Sequence, residues 1–248
     1  MKKTVHTQSG KIKGAWWLWV GLFALALAAV ILFFYLTPDG IGLVNDSVAY
    51  IAGARNLLDG QGYSRLTGDG TTRPITNYPP FFSIMIALVS LLGWETIQAS
   101  AVLNASLLGV NVLLLGVVVW RVTRKPSLAL LASTSFLISA PLVGSHLFAM
   151  SEPLYLALSF ACLLLLAGGL ERGRRWLVFL AGLAAGLAFI TRYVGVSLFI
   201  TAILAILVWQ PAWRSRLATS AIFLLGGIPA PLAWLIRNRL VTETVANR

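Results

Sequence analysis

Seven apolar runs of roughly bilayer length follow one another along this chain, separated by short polar or basic connections. They cover residues 15–36, 97–120, 127–146, 153–170, 176–190, 193–209 and 217–236. An apolar helix of about 20 residues spans a hydrocarbon core, and the 22 residues of the first run make about 33 Å of helix. Backbone amides inside lipid must be satisfied within their own segment, so the expected fold is all-α. We expect a polytopic transmembrane helical bundle of about seven spans, forming one membrane domain over 1–248. Residues 1–14 are its cytoplasmic tail, and 37–96 are a first extracytoplasmic loop with interfacial helices. The composition agrees: 58% of residues are hydrophobic and only 11% charged.

Charge sets the expected orientation. The run 80–92 is only 13 residues long and opens on Pro79-Pro80, which suits the first turn of a helix. If it lies in the interface without crossing, one membrane side receives Lys2, Lys3, Lys11 and Lys13, the cluster Arg121, Arg124 and Lys125, the cluster Arg172, Arg174 and Arg175, and Arg214 with Arg216. That is 12 of the 19 basic residues, and a crossing would send eight of them to the other side. The positive-inside tendency therefore favours an uncrossed segment and a cytoplasmic N-terminus. The first run is longer than a signal-peptide core and lacks a small-residue cleavage site, so it reads as an uncleaved anchor. Of the acids, only Glu171 falls on the basic side. Trp16, Trp17, Trp19, Trp120, Trp176, Trp209 and Trp213 mark that interface, with Trp94 and Trp234 at the other.

The net charge of +11 does not indicate nucleic acid, because the basic residues form short clusters between apolar runs and no continuous basic face. The lone Cys162 excludes an intrachain disulfide, and His6 and His146 form no metal motif. No ionisable residue sits at mid-span, which argues against an ion-coupled pump.

The polar chemistry concentrates in 39–80. Asp39, Asp46, Asp59 and Asp69 are half of the chain's acids. Asn45 is a favourable N-cap and Gly60 a favourable C′ residue, which predicts a helix from Asp46 to Asp59. Val48, Ile51, Ala52 and Leu58 would share its apolar face, and Tyr50 the face of Asp46. Asp46 is then either a base aimed into a cleft or an acid stabilised by the helix dipole. Glu152, ahead of Pro153, has the same two readings. Arg192 is either a phosphate ligand or a snorkelling interfacial arginine. For Arg55 snorkelling is the better reading, and for His146 an interfacial position.

Taken together these motifs resemble a known family. They are Asp46-Ser47-Val48-Ala49-Tyr50, Gly60-Gln61-Gly62-Tyr63, Tyr78-Pro79-Pro80-Phe81-Phe82, Ser151-Glu152-Pro153-Leu154-Tyr155, the segment from Gly186 to Tyr193, and Trp234-Leu235-Ile236-Arg237-Asn238. In order and spacing they are similar to the GT-C superfamily of polyprenyl-phosphate-sugar-dependent glycosyltransferases. The closest branch holds protein-O-mannosyltransferase-like enzymes and the aminoarabinose transferase of lipid A. The resemblance implies that Asp46 is the catalytic base of an inverting transfer and Glu152 a second acid at the site. Tyr50, Tyr78, Arg192, Tyr193 and Arg237 would contact substrate, with Arg192 and Arg237 stabilising the phosphate leaving group. It implies a lipid-linked sugar as donor and a protein, lipid or glycan as acceptor, at the outer face of the cell membrane. A divalent metal held by Asp46 and Glu152 is a further expectation. Many protein-O-mannosyltransferases carry a paired Asp-Glu where this chain has Asp46-Ser47. Family members usually continue past the seventh span, so the resemblance is to their N-terminal module. The alternatives are a non-catalytic polyprenyl-phosphate-binding or lipid-flipping protein, and a structural or transport protein whose loop acids are solvated surface.

Overall fold

A computed structural model describes residues 16–68 and 70–246. The tail 1–14 with its lysines and His6, residue Ala15, and Asp69 lie outside the described residues. The expected all-α bundle is what forms, and with its long apolar helices the chain is a multi-pass membrane protein.

Among the described residues three helices are each long and apolar enough to cross a membrane: α1 (Trp16–Leu36), α4 (Thr96–Thr123) and α7 (Glu152–Arg172). Two further runs are bent pairs. The first pair, α5 (Pro126–Ile138) and α6 (Ala140–His146), meets at 67°, and the last, α10 (Trp213–Gly227) and α11 (Pro229–Ala246), at 48°. Proline explains both breaks. Pro141 cannot donate to Leu137 and its ring crowds that carbonyl, so Ser139 leaves the helix with ψ 102°. Pro229 removes the same bond to Leu225. The two remaining runs form α8 (Arg175–Phe189) and α9 (Val196–Trp209), 15 and 14 residues long and below usual spanning length. Each expected run is therefore helical, while length and composition admit three to five spans.

The interior is divided by α4, which packs against α1, α5, α7 and the short α3 (Phe81–Ser90). α3 is the 80–92 segment, and its 10 residues are too few to cross. A second layer is α8 held between α7 and α10. Small residues set that approach: Gly182 and Gly186 of α8 lie against the backbone of Phe223 and Gly227, and Gly226 of α10 against that of Phe179. This is the small-residue spacing that lets helix backbones meet inside a membrane.

The first loop carries α2 (Asn45–Leu58) and a hairpin absent from the all-helical expectation, β1 (Ser64–Leu66) and β2 (Thr72–Pro74), antiparallel with Arg65 opposite Arg73. α2 begins one residue early. Val44 is its N-cap, and Ser47 Oγ accepts the Val44 N–H at 3.1 Å. Its end is as expected: Gly60 takes φ +71°, with Gln61 N–H donating to Asn56 O and Gly60 N–H to Leu57 O. The buried face corrects the expectation. Ser47, Tyr50, Ile51 and Ala54 face the core, whereas Val48 and Leu58 are exposed. The partners are α3 and α4, and they meet the Tyr50 side of the helix.

Arg55 does not simply snorkel. Its Nε donates to Thr96 Oγ1 at 2.9 Å and Nη2 lies 3.6 Å from Glu95, which ties α2 to the first turn of α4. His146 is fully buried within the protein. Its Nδ1 is 2.7 Å from Leu142 O and its Nε2 is 3.0 Å from Asn111 Nδ2, so Nδ1 carries the proton and Nε2 accepts from Asn111.

Candidate active site

Four segments bring polar side chains to one end of the bundle. α2 supplies Asp46 and Tyr50, the 76–80 loop supplies Asn77 and Tyr78, the α6–α7 turn supplies Ser151 and Glu152, and the turn after α8 supplies Thr191, Arg192 and Tyr193. A cleft of about 260 Å³ opens between them, lined by Asp46, Tyr50, Tyr78, Thr191, Arg192 and Tyr193 among others.

The side chains form two linked groups. On one wall Tyr78 OH donates to Asp46 Oδ1 at 2.8 Å, and Oδ2 makes no hydrogen bond among the described residues. On the other wall Arg192 Nη1 lies 2.6 Å from Glu152 Oε1 and 3.4 Å from Ser151 Oγ. Tyr50 joins the two, its OH 3.0 Å from Ser151 Oγ and its ring edge-on to Tyr78 and Phe82. Glu152 Oε2 is buried and carries no hydrogen bond among the described residues.

Electrostatics keeps the phenols neutral. Burial raises the Tyr50 phenol above its ordinary value, and its bond to Ser151 and the charge of Arg192 only partly offset this. The Tyr78 phenol is raised chiefly by its hydrogen bond to the Asp46 carboxylate, which rewards keeping the proton. Tyr78 is thus fixed as a donor at neutral pH.

Local structure positions each group. Glu152 opens α7 directly before Pro153, and the Pro153 carbonyl accepts from Asn111 Nδ2 at 2.9 Å. Asn104 Nδ2, seven residues earlier on the same face of α4, donates to Phe148 O at 2.6 Å. The α6–α7 turn therefore hangs on two buried asparagines of α4, which sequence reading passed over. Their signal was two amides seven residues apart inside an apolar run. Gly42 N–H donates to Leu147 O and Gly42 O accepts from Ala149 N–H, tying the first loop to the same turn.

Five of the seven expected site residues gather at the cleft: Asp46, Tyr50, Tyr78, Arg192 and Tyr193. Glu152 stands behind it through Arg192. Arg237 is elsewhere. Its guanidinium donates to Ile75 O and, at 2.8 Å, to Tyr63 O, and it stacks on the rings of Tyr63 and Trp234. It clamps the first loop to α11. Tyr193 OH is anchored too, accepting from Trp234 Nε1 at 3.0 Å. The two acids expected to share a metal have other partners, Tyr78 and Arg192. Among the described residues no three His, Cys, Asp or Glu side chains stand together. Ser151 links both walls, and its residue type carries no sequence signal for that role.

The family model described as dolichyl-phosphate-mannose-protein mannosyltransferase matches residues 77–235. That span takes in Tyr78, Glu152, Arg192 and Tyr193 and leaves out Asp46, Tyr50 and Arg237. No curated protein and no solved structure matches the chain.

Proposed function

The chain belongs to the dolichyl-phosphate-mannose-protein mannosyltransferase family, membrane glycosyltransferases of the GT-C type, and from that premise we propose that it transfers a sugar from a polyprenyl phosphate to an acceptor hydroxyl in the cleft between Asp46 and Arg192. The observation that carries this reading is that those two residues line one cleft, Asp46 held by Tyr78 and Arg192 by Glu152. A carboxylate and a guanidinium are the two groups that such a transfer needs on opposite sides of the sugar.

In this reading Asp46 Oδ2 takes the proton of the acceptor hydroxyl. The acceptor oxygen bonds to the anomeric carbon as the bond from that carbon to the phosphate oxygen breaks. The bonding pair leaves on the phosphate, and the product carries the inverted configuration. Arg192 meets the charge that develops on the departing phosphate, held in place by Glu152 and Ser151. Tyr78 keeps Asp46 oriented. The site faces outward and the N-terminus lies in the cytoplasm, which the clustering of basic residues supports. The acceptor is a protein, lipid or glycan hydroxyl.

The test is consumption of labelled polyprenyl-phosphate sugars by membranes carrying the full chain or its Asp46→Asn variant. Removing a general base is expected to cost about 10²–10⁴-fold in rate. Wild-type turnover in the variant, at equal protein in the membrane, would remove Asp46 from this role.

A further inference from the structure

The opposite end of the bundle holds a second polar cavity, roughly 30 Å away along the 21 residues of α7. Its volume is about 490 Å³, and it lies between the end of α7 and the first turns of α8 and α10. Arg175 and Arg214 line it together with Gln210, Ser215 and Thr219. No acid lines it, and neither arginine has a hydrogen bond or ion pair among the described residues. Two helix N-termini turned to the same space add to its positive character.

An apolar groove of about 340 Å³ adjoins this cavity, and the two share Leu170. It runs between α7 and α9, lined by Leu163, Leu166, Ala205 and Val208. The one acid there, Glu171, is neutralised by Arg121 at 2.7 Å. Trp176, Trp209 and Trp213 are all exposed around this end, as residues at a headgroup boundary are.

We propose that this composite site binds an acidic glycerophospholipid, with its phosphate between Arg175 and Arg214 and one acyl chain along the α7–α9 groove. Snorkelling arginines alone would account for the charge, but not for a cationic cavity beside an apolar groove with Leu170 lining both. The bidentate reach of two guanidiniums suits a phosphodiester. The site is separate from the Asp46 cleft and does not depend on the transfer chemistry proposed for it.

The test is native mass spectrometry of the full chain in detergent, titrated separately with phosphatidylglycerol, phosphatidylcholine, polyprenyl phosphate and glycerol phosphate. We expect one tightly held phosphatidylglycerol, with weaker phosphatidylcholine binding. Arg175→Gln/Arg214→Gln should weaken phosphatidylglycerol by about tenfold or more, since each charged contact is lost. Arg124→Asn/Lys125→Gln removes as many charges from the same end and should leave that affinity unchanged. Ala205→Phe, which fills the groove, should weaken phosphatidylglycerol and spare glycerol phosphate. Equal losses in the two charge variants would overturn the proposal, as would equal binding of phosphatidylcholine. Preference for polyprenyl phosphate at Arg175 and Arg214 would overturn it in favour of a second donor-lipid site. Thermal melts of each variant separate lost binding from lost fold.

Discussion

Gly186→Ala is expected to injure both the fold and the cleft. A Cβ there would fall roughly an ångström inside ordinary contact with the Gly227 carbonyl oxygen, and would also meet the Gly227 carbonyl carbon at 3.1 Å and its Cα at 3.3 Å. These are backbone atoms of α10, so no side chain can swing aside. The two helices must separate. Overpacking of this kind costs about 1–3 kcal/mol, and a rigid obstacle places it at the upper end. Alanine's better helix propensity returns up to about 1 kcal/mol. The net loss is then about 2 kcal/mol, or about 4–8 °C in Tm for a chain of this size. Gly144→Ala in α6 is the control, because nothing lies within 4 Å of its added Cβ, and it should be neutral or slightly stabilising. α8 leads within three residues into Arg192, whose pairing with Glu152 at 2.6 Å tolerates little drift. A displacement near 1 Å at a positioning group costs up to about 10²-fold in rate. The assays are a thermal melt of detergent-solubilised chain and sugar transfer in membranes. A Gly186→Ala protein that melts with the Gly144→Ala control would refute the close helix contact as the determinant of this packing.

Three further outcomes follow from other parts of the structure. Arg237→Lys loses the fork that reaches both Ile75 and Tyr63 carbonyls, so trypsin should cut at Arg65 in the variant well before wild type, while the melt of the helical core barely moves. The phenols of Tyr50, Tyr63 and Tyr78 are all raised, Tyr50 and Tyr63 mainly by burial and Tyr78 by Asp46, so the folded chain holds protons that the unfolded chain releases. Stability should therefore be intact below the ordinary phenol value of about 10 and fall as pH rises beyond it, read from melts across that range. Gly42→Ala would press on the Phe148 ring and the Leu147 carbonyl; the half-exposed ring can yield, so the loss should be about 1 kcal/mol, with the Gly42–Leu147 amide exchanging faster with deuterium.

The helical segments were legible because bilayer-length apolar runs leave the backbone one way to satisfy itself. The end of α2 was legible at Gly60, and the start of α3 at Pro79-Pro80, because both rest on local backbone restrictions. What failed was orientation within the apolar runs. Hydropathy averages over Pro141 and Pro229, so two bent pairs read as straight spans. In a membrane chain the lipid-facing and protein-facing sides are both apolar, which hides the burial of His146 and the close contact of Gly186 with Gly227. Within the cleft, residue type and motif placed Asp46, Tyr78 and Arg192 together. The fate of Arg237 was illegible because its partners are backbone carbonyls, which carry no sequence signal.

The clamp on the first loop has a consequence for the order of events during synthesis. The carbonyls of Tyr63 and Ile75 wait for a guanidinium that lies 174 and 162 residues downstream. At about 5–20 residues per second, the ribosome makes that interval last roughly ten to thirty seconds. During it the segment holding Asp46 and Tyr78 relies on its packing against α3 and α4, and on Gly42 once residues 147–149 arrive. The cleft is therefore completed only when α11 seats, although its first residues are made far earlier.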